Sequence, residues 1–314
     1  MNYTLGVSMI LAFCLSQAFR DVYLGHIFQK VDFFAVILLA FIPSTLVFGA
    51  IAWFFRRDQL FALRKHVPAV IAMNFATATA WTSYFFGLAH LEPAIVNTIH
   101  SGIAPLTVIA LTAIGLAIAG NHRAGRLEGW LLTGMTLTLI GLAWLVLSGR
   151  SGLAGSGRAE AGAASPFVAL CLLVVSGVSI TISHLIAKHL SGTGAGAAAI
   201  TASRYLLIMV LAAGFLVVRD TPSGVTGIGQ GLWLGVAAAL LVAVPLYALQ
   251  IGIAHTPQLM AHILRALGPV FVFALQQFDG RLHWSTPVLI LIVLYSIFVA
   301  GANIAHGRSM QVNR

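Results

Sequence analysis

Arg265 sits where a lipid-crossing helix has no room to leave it out. Only Ala266 to Phe278 separates it from Asp279, and those 13 residues are too few for a membrane span, which needs about 20. The span must contain the arginine. Counted from the turn at Pro257, Arg265 lies eight residues in, on the order of 12 Å deep at a rise of about 1.5 Å per residue. A charge at that depth has to face a bundle interior or a watery cavity and be paired there. The guanidinium fork matches a carboxylate or phosphate through two bonds at once, so the chemistry it offers is capture of an anionic group. His262 is three residues earlier on the same helical face, and Pro269, four residues later, removes the backbone bond that would end near Arg265. A structural reading stands beside this one: Arg265 could hold a backbone carbonyl loosened by the proline.

Other polar residues fall at helical spacing within apolar runs. Asn97, His100 and Ser101 precede Pro105; Asn74, Thr77, Trp81 and Tyr84 form one face; Tyr247 and Gln250 lie in a later run. Trp81, Tyr84 and Tyr247 could wall an organic solute, or sit as an aromatic belt at the membrane surface. His100 could bond across helices as a neutral imidazole, touch the solute, or titrate if protons couple to transport. Gln17, Arg20 and Asp21 cluster near one end of the first run, with Arg20 and Asp21 read as gate or interface charges. Thr181, His184 and Lys188 share a face, with Lys188 snorkelling outward. Pro105 and Pro269 are the candidate hinges. Arg204 is either deep or near the interface, depending on where its helix begins. Cys14 and Cys171 read as small core residues. All eight acidic residues map to loops or span ends, which weighs against an exchanger of lipophilic cations for protons.

Eleven histidines invite a metal or catalytic reading, yet there is no HExxH motif, no pair of membrane aspartates and no Ser/His nucleophile pair. The two cysteines have no metal-ligand spacing. The expectation is therefore no catalytic residue, no metal and no cofactor, with an intramembrane enzyme or a channel as distant alternatives. The net charge of +9 comes from basic residues at the ends of apolar runs. That distribution is a topology signal and not a nucleic-acid surface.

The elements that would position these residues follow from composition. With 314 residues, 59% hydrophobic and 8% charged, the chain reads as an all-α integral membrane protein whose partner is the lipid bilayer. Pro, Gly and charge punctuate ten transmembrane helices near 3–25, 32–55, 66–90, 93–119, 128–148, 166–189, 197–218, 229–253, 257–278 and 285–306. The first run lacks a cleavable leader pattern and reads as a span. Gly87-Leu88-Ala89-His90, leading to Pro93 and Pro105, recurs as Gly252-Ile253-Ala254-His255, leading to Pro257 and Pro269. Five spans separate the copies, so the second is upside down: two inverted five-helix repeats, 1–148 and 166–306. Residues 149–165, rich in Gly, Ala and Ser, link them, and 307–314 form a tail. Offset matching places Ser101 opposite Arg265. Nine Lys and Arg on the side of the termini, against six on the other, favour cytoplasmic termini. Gly231 and Gly235 permit close packing of a homodimer without requiring it.

Ten spans, inverted halves, the Pro93/Pro105 and Pro257/Pro269 punctuation and the Ser203-Arg204-Tyr205-Leu206 start of span seven together resemble the drug/metabolite transporter superfamily, EamA type, over nearly the whole chain. The resemblance implies a multi-pass exporter in the bacterial inner membrane. Its cargo would be small metabolites, often amino acids, moved through a cavity lined mainly by spans one, three, four, six, eight and nine. One departure is Ile42 beside Pro43, at the position matching Arg204, where the family often has arginine. The expectation is a secondary-active or facilitative carrier of a small-molecule solute bearing a carboxylate, working by alternating access with proton or exchange coupling open. The runner-up exports neutral or hydrophobic drug-like compounds and uses Arg265 structurally.

Overall fold

The computed structural model describes residues 3–28, 31–115, 125–152, 166–219, 255–256, 258–280 and 282–312, with scattered positions from Trp233 to Gly252. Tyr247, Gln250, Pro257, Gly231 and the side chain of His262 lie outside the described residues. All regular structure among the described residues is helical: α1 (Tyr3–Ile27), α2 (Phe33–Phe55), α3 (Arg57–Leu63), α4 (Val67–His90), α5 (Pro93–Ala113), α6 (Arg126–Leu147), α7 (Pro166–Gly192), α8 (Ala197–Ser203), α9 (Leu206–Arg219), α10 (Gln258–Arg265), α11 (Gly268–Gln276) and α12 (Thr286–Val312). Among the described residues, seven helices are long and apolar enough to cross a membrane, counting the run Ala197–Val218 across α8 and α9 as one. The molecule is an all-helical, multi-pass membrane protein.

Its polarity is distributed as lipid requires. Phe54, Phe55, Trp130, Val217 and Val218 are exposed, while Asp21, Thr77, Asn97, Ser176, Ser183 and Gln276 are buried. Lipid gives no hydrophobic drive to pack one helix on another, so small residues and interhelical hydrogen bonds must do it. α4 lies antiparallel along α7, and α5 also packs on α7. Gly177 makes the second contact possible: a Cβ there would meet Ile103 Cβ at 2.6 Å and the His100 carbonyl at 2.9 Å. Equivalent glycines of the repeated motif do matching work. A Cβ on Gly87 would strike Leu173 of α7 at 2.5 Å, and one on Gly252 would strike Ile10 of α1 at 2.5 Å. Leu173 and Ile10 each lie seven residues into their helices.

Two of the expected spans are broken in the middle. α8 and α9 are separated at Arg204-Tyr205, and α10 and α11 at Ala266-Leu267. The second break follows from Pro269, which has no N–H for the Arg265 carbonyl. The Ser296 hydroxyl of α12 donates to the freed Ala266 carbonyl at 2.8 Å. Pro105 deprives Ser101 of the same bond, yet α5 continues through it. α12 runs to Val312, beyond the expected span end at 306.

The end of the bundle where α1 begins is called proximal below, and the other end distal. α5 runs from distal to proximal and α10–α11 the other way: the Ala94 N–H at the start of α5 donates to Gln276 Oε1 at the end of α11, at 3.0 Å.

Candidate functional site

In the distal half, the interior is organised by Asp21. Six residues before the end of α1, its side chain is 0% exposed. Its Oδ1 accepts Arg20 Nε at 2.9 Å and Nη2 at 2.7 Å; its Oδ2 accepts the Tyr84 hydroxyl at 2.7 Å and Asn97 Nδ2 at 2.8 Å. Four donors from three helices satisfy one buried carboxylate, as a low-dielectric interior demands. The expectation that every acidic residue falls in a loop or at a span end fails here, because helix α1 continues well past Asp21 to Ile27. Tyr84 is no surface-belt aromatic either, since it is 2% exposed. Arg20 lies over the Trp81 and Tyr84 rings, 5.3 and 5.9 Å from their centroids. Trp81 is half-buried, and its indole N–H is buried with no partner among the described residues.

His100 stacks against Tyr84 with ring centroids 4.5 Å apart, and its Nδ1 lies 2.9 Å from Ser176 Oγ. The Ser176 hydroxyl donates to the Ala80 carbonyl at 2.7 Å. With that hydrogen committed, the imidazole must supply the proton of the pair, so His100 carries hydrogen on Nδ1.

A second cluster occupies the proximal half. Asn74 serves the break between α8 and α9: its Nδ2 donates to the Ser203 carbonyl at 2.8 Å and to Val70 at 3.0 Å, while its Oδ1 accepts the Leu207 N–H at 3.1 Å. The side chain replaces backbone bonds that a continuous helix would make internally. Arg204, at the break, donates from Nη2 to Ser183 Oγ at 3.0 Å, and Ser183 shares a 2.7 Å bond with Thr77. The Arg204 Nε is buried without a partner among the described residues. Arg265 ends the half-helix α10, its guanidinium 5.6 Å from the Phe13 centroid. It is nonetheless accessible to water-sized space, as is His184, mid-way along α7. His184 lies within electrostatic reach of Arg204, Arg265 and His100, which belong to three other elements.

The distal end is fastened by Glu92, 1% exposed at the cap of α5. It accepts the Gly152 N–H at 2.9 Å and the Gln276 side-chain amide, and the Gly152 carbonyl accepts the His283 N–H at 3.0 Å. Burial pushes the Glu92 carboxyl above its ordinary range, against the opposing pull of those two donors.

The predicted residues thus divide between two layers. Arg20, Asp21, Trp81, Tyr84, Asn97 and His100 form the distal layer; Asn74, His184 and Arg265 belong to the proximal one. Gln17 is half-buried one turn before Asp21, and Ser101 is half-buried beyond His100; Pro105 lies within α5 and Pro269 just past the break. Sequence reasoning missed Ser176 and Ser183, although their seven-residue spacing on one apolar helix was a readable signal. It missed Phe13 for want of any polar mark. Cys14 is buried, but Cys171 is exposed on the outer side, contrary to the core placement expected of it. Two apolar grooves of about 420 and 410 Å³ run along the outside of α1 beside Phe19 and Leu275, and neither is lined by Arg265, Arg204 or His184.

No family model matches the chain, and no curated protein matches it. Twelve chains of solved structures do match its fold. One, described only as the crystal structure of a protein, aligns with a TM-score of 0.62 at 18% identity, covering 98% of this chain and 97% of that one. At that identity the likeness shows a shared fold along nearly the full length.

Proposed function

We propose that this chain is a secondary carrier that exports a small carboxylate-bearing metabolite by alternating access, of the drug/metabolite transporter, EamA type. In this reading ten helices form two inverted five-helix repeats in a bacterial inner membrane, with both termini cytoplasmic. The observation that carries it is Arg265: an arginine ending a broken half-helix inside the bundle, open to water-sized space and without a carboxylate partner among the described residues. Broken helices with charged groups at the break are a recurrent way for carriers to present a solute site at mid-membrane. Support for the inversion comes from the two motif glycines. Gly87 against α7 and Gly252 against α1 are one contact made twice, and the helices that follow the motifs, α5 and α10–α11, run antiparallel.

A second reading, export of neutral or hydrophobic compounds with Arg265 structural, is favoured by the stacking of the guanidinium on Phe13, which can stabilise the charge without an anion. Counterflow in proteoliposomes, using a labelled mixture of amino acids, organic acids and neutral amphiphiles read by mass spectrometry, separates the two. Saturable exchange of carboxylate-bearing solutes is the expected result. Exchange confined to neutral compounds would replace the first reading with the second.

A further inference from the structure

We infer that the proximal end of α2 and the short helix α3 form a docking face for anionic phospholipids, with Arg57 and Arg64 each taking the phosphate of one headgroup. The inference is independent of the transported solute and rests only on the chain's place in a membrane.

The argument begins with how the chain leaves α2. The last residues of that helix, Trp53, Phe54 and Phe55, are exposed and apolar, so they meet lipid where the hydrocarbon ends. The next ten residues, Arg56 to Lys65, hold four cations and one carboxylate, Asp58. A topology signal needs only those charges in a loop. Here they stand on a fixed element. Leu60 and Leu63 of α3 pack into a cluster with Ala52, Leu190, Ala199 and Ile200. Gly196 lets α3 seat on the start of α8, since a Cβ there would strike the Gln59 side chain. With that side of the segment buried, the other is set. Arg57, Phe61, Arg64 and Lys65 are all exposed, at the i, i+4, i+7 and i+8 spacing of one helical face.

Both guanidiniums on that face are held by aromatic rings. The Arg57 Cζ lies 4.9 Å from the Trp53 centroid, and its Nε donates to the Trp53 carbonyl at 2.8 Å. The Arg64 Cζ lies 4.7 Å from the Phe61 centroid. Attraction to a ring draws on the charge of a guanidinium and not on its N–H groups. The Nη donors of both forks therefore remain available, prearranged, for phosphate oxygens. Each side chain leans back onto a ring three or four residues earlier, so the forks keep the separation of their positions, on the order of 10 Å along the axis. That spacing suits two headgroups side by side and not one phosphate gripped twice.

Lipid is the occupant these features select. A soluble anion would leave Phe54, Phe55 and Phe61 uncovered, whereas acyl chains beside the headgroups cover them. A zwitterionic headgroup brings its own cation against the local excess of positive charge, and a headgroup charged only at phosphate does not. The face is also one-sided. Arg57-Asp58 recurs as Arg219-Asp220 at the end of α9, but no Lys or Arg follows from Thr221 to Trp233, so the pair of ring-held arginines belongs to the proximal leaflet alone.

The test titrates phosphatidylglycerol and phosphatidylcholine of identical chains into the purified full-length protein in detergent, with bound lipid counted by native mass spectrometry. Phosphatidylglycerol should bind the wild type at least about tenfold more tightly, from two arginines that favour anionic headgroups. Arg57→Gln and Arg64→Gln should each lower that preference about threefold, and together bring it close to one. The double lysine variant, which keeps the charge and loses the fork, should retain part of it, and the single variants decide the matter if the double one does not fold. Arg126→Gln, at an exposed cation that opens α6 on the same side, should leave the preference unchanged. Equal binding of the two lipids by wild type overturns the inference, as does an Arg126→Gln loss equal to that of the double variant, which would mean diffuse surface charge. Displacement of the lipid by glycerol phosphate at equal concentration would make this a site for soluble anions, and a dimer that dissolves in the double variant would make it an interface between copies of the chain. Either result overturns the lipid assignment.

Discussion

Single residues carry the interior's charge balance. Asp21 neutralises Arg20 while both are buried, so Asp21→Ala leaves an uncompensated cation and should cost about 3–5 kcal/mol. Thermal unfolding in detergent would show that loss as a large fall in Tm, with Asp21→Asn intermediate because its amide can keep one acceptor. Asn74→Ala strands the Ser203 carbonyl and the Leu207 N–H, and should destabilise by about 1–3 kcal/mol. An unchanged Tm would mean that the break between α8 and α9 finds other partners. The sequence made Arg265, Asp21 and Asn74 unequally readable. Arg265 was forced into the membrane by arithmetic on the distance to Asp279. Asp21 was not, because a span end read at residue 25 left it close to the boundary, whereas α1 continues to Ile27 and buries the carboxylate. Asn74 was visible as an interior polar residue, but its duty depends on a break 130 residues away that no proline announces.

Elements were more legible than side-chain roles. Nearly every helix start was marked by Pro, Asp or Gly: Pro93, Pro166, Asp32 and Gly125 all stand at or beside one, for the capping reasons that make them helix openers. The breaks at Arg204-Tyr205 and Ala266-Leu267 were less so. Pro269 predicted a kink, while the symmetric Pro105 leaves α5 whole, so the same residue has two outcomes set by its neighbours. The distal fastening between Glu92, Gln276 and Gly152 joins the start of α5 to the end of α11 and predicts a pH response. Because the fold raises the Glu92 pKa, folding favours its protonated form. The stability from this group is complete below the unfolded carboxylate value of about 4.3 and is lost as pH rises through the higher folded value. Tm should therefore fall with rising pH across the mildly acidic range, and Glu92→Gln, which cannot ionise, should flatten that slope. A slope unaltered by the substitution would place the pH response elsewhere. Gly87→Ala and Gly252→Ala should each destabilise by about 1–3 kcal/mol through overpacking, and similar losses at the two sites are expected from matched contacts.

At the scale of the whole molecule, Asp21, Tyr84 and Asn97 of the distal layer are buried while Arg265 and His184 of the proximal layer are exposed, which under the proposed carrier reading is a molecule open to one side. With a cysteine-free background, a membrane-impermeant thiol reagent should label His184→Cys from the side that carries Arg57–Leu63 and not from the other. Labelling only from the opposite side would reverse the assigned opening. The apolar spans were readable from the sequence because each is a long, nearly uncharged run. The layered interior was not, since it is assembled from residues far apart in the chain with no local pattern. The account stands most directly on Arg265 touching the solute, and one paired measurement reaches it: Tm and exchange flux on the same preparation of Arg265→Gln. The account predicts a folded protein with a Tm near that of wild type and exchange of carboxylate-bearing solutes lost. A collapsed Tm, or a folded protein that still exchanges those solutes at the wild-type rate, would contradict it.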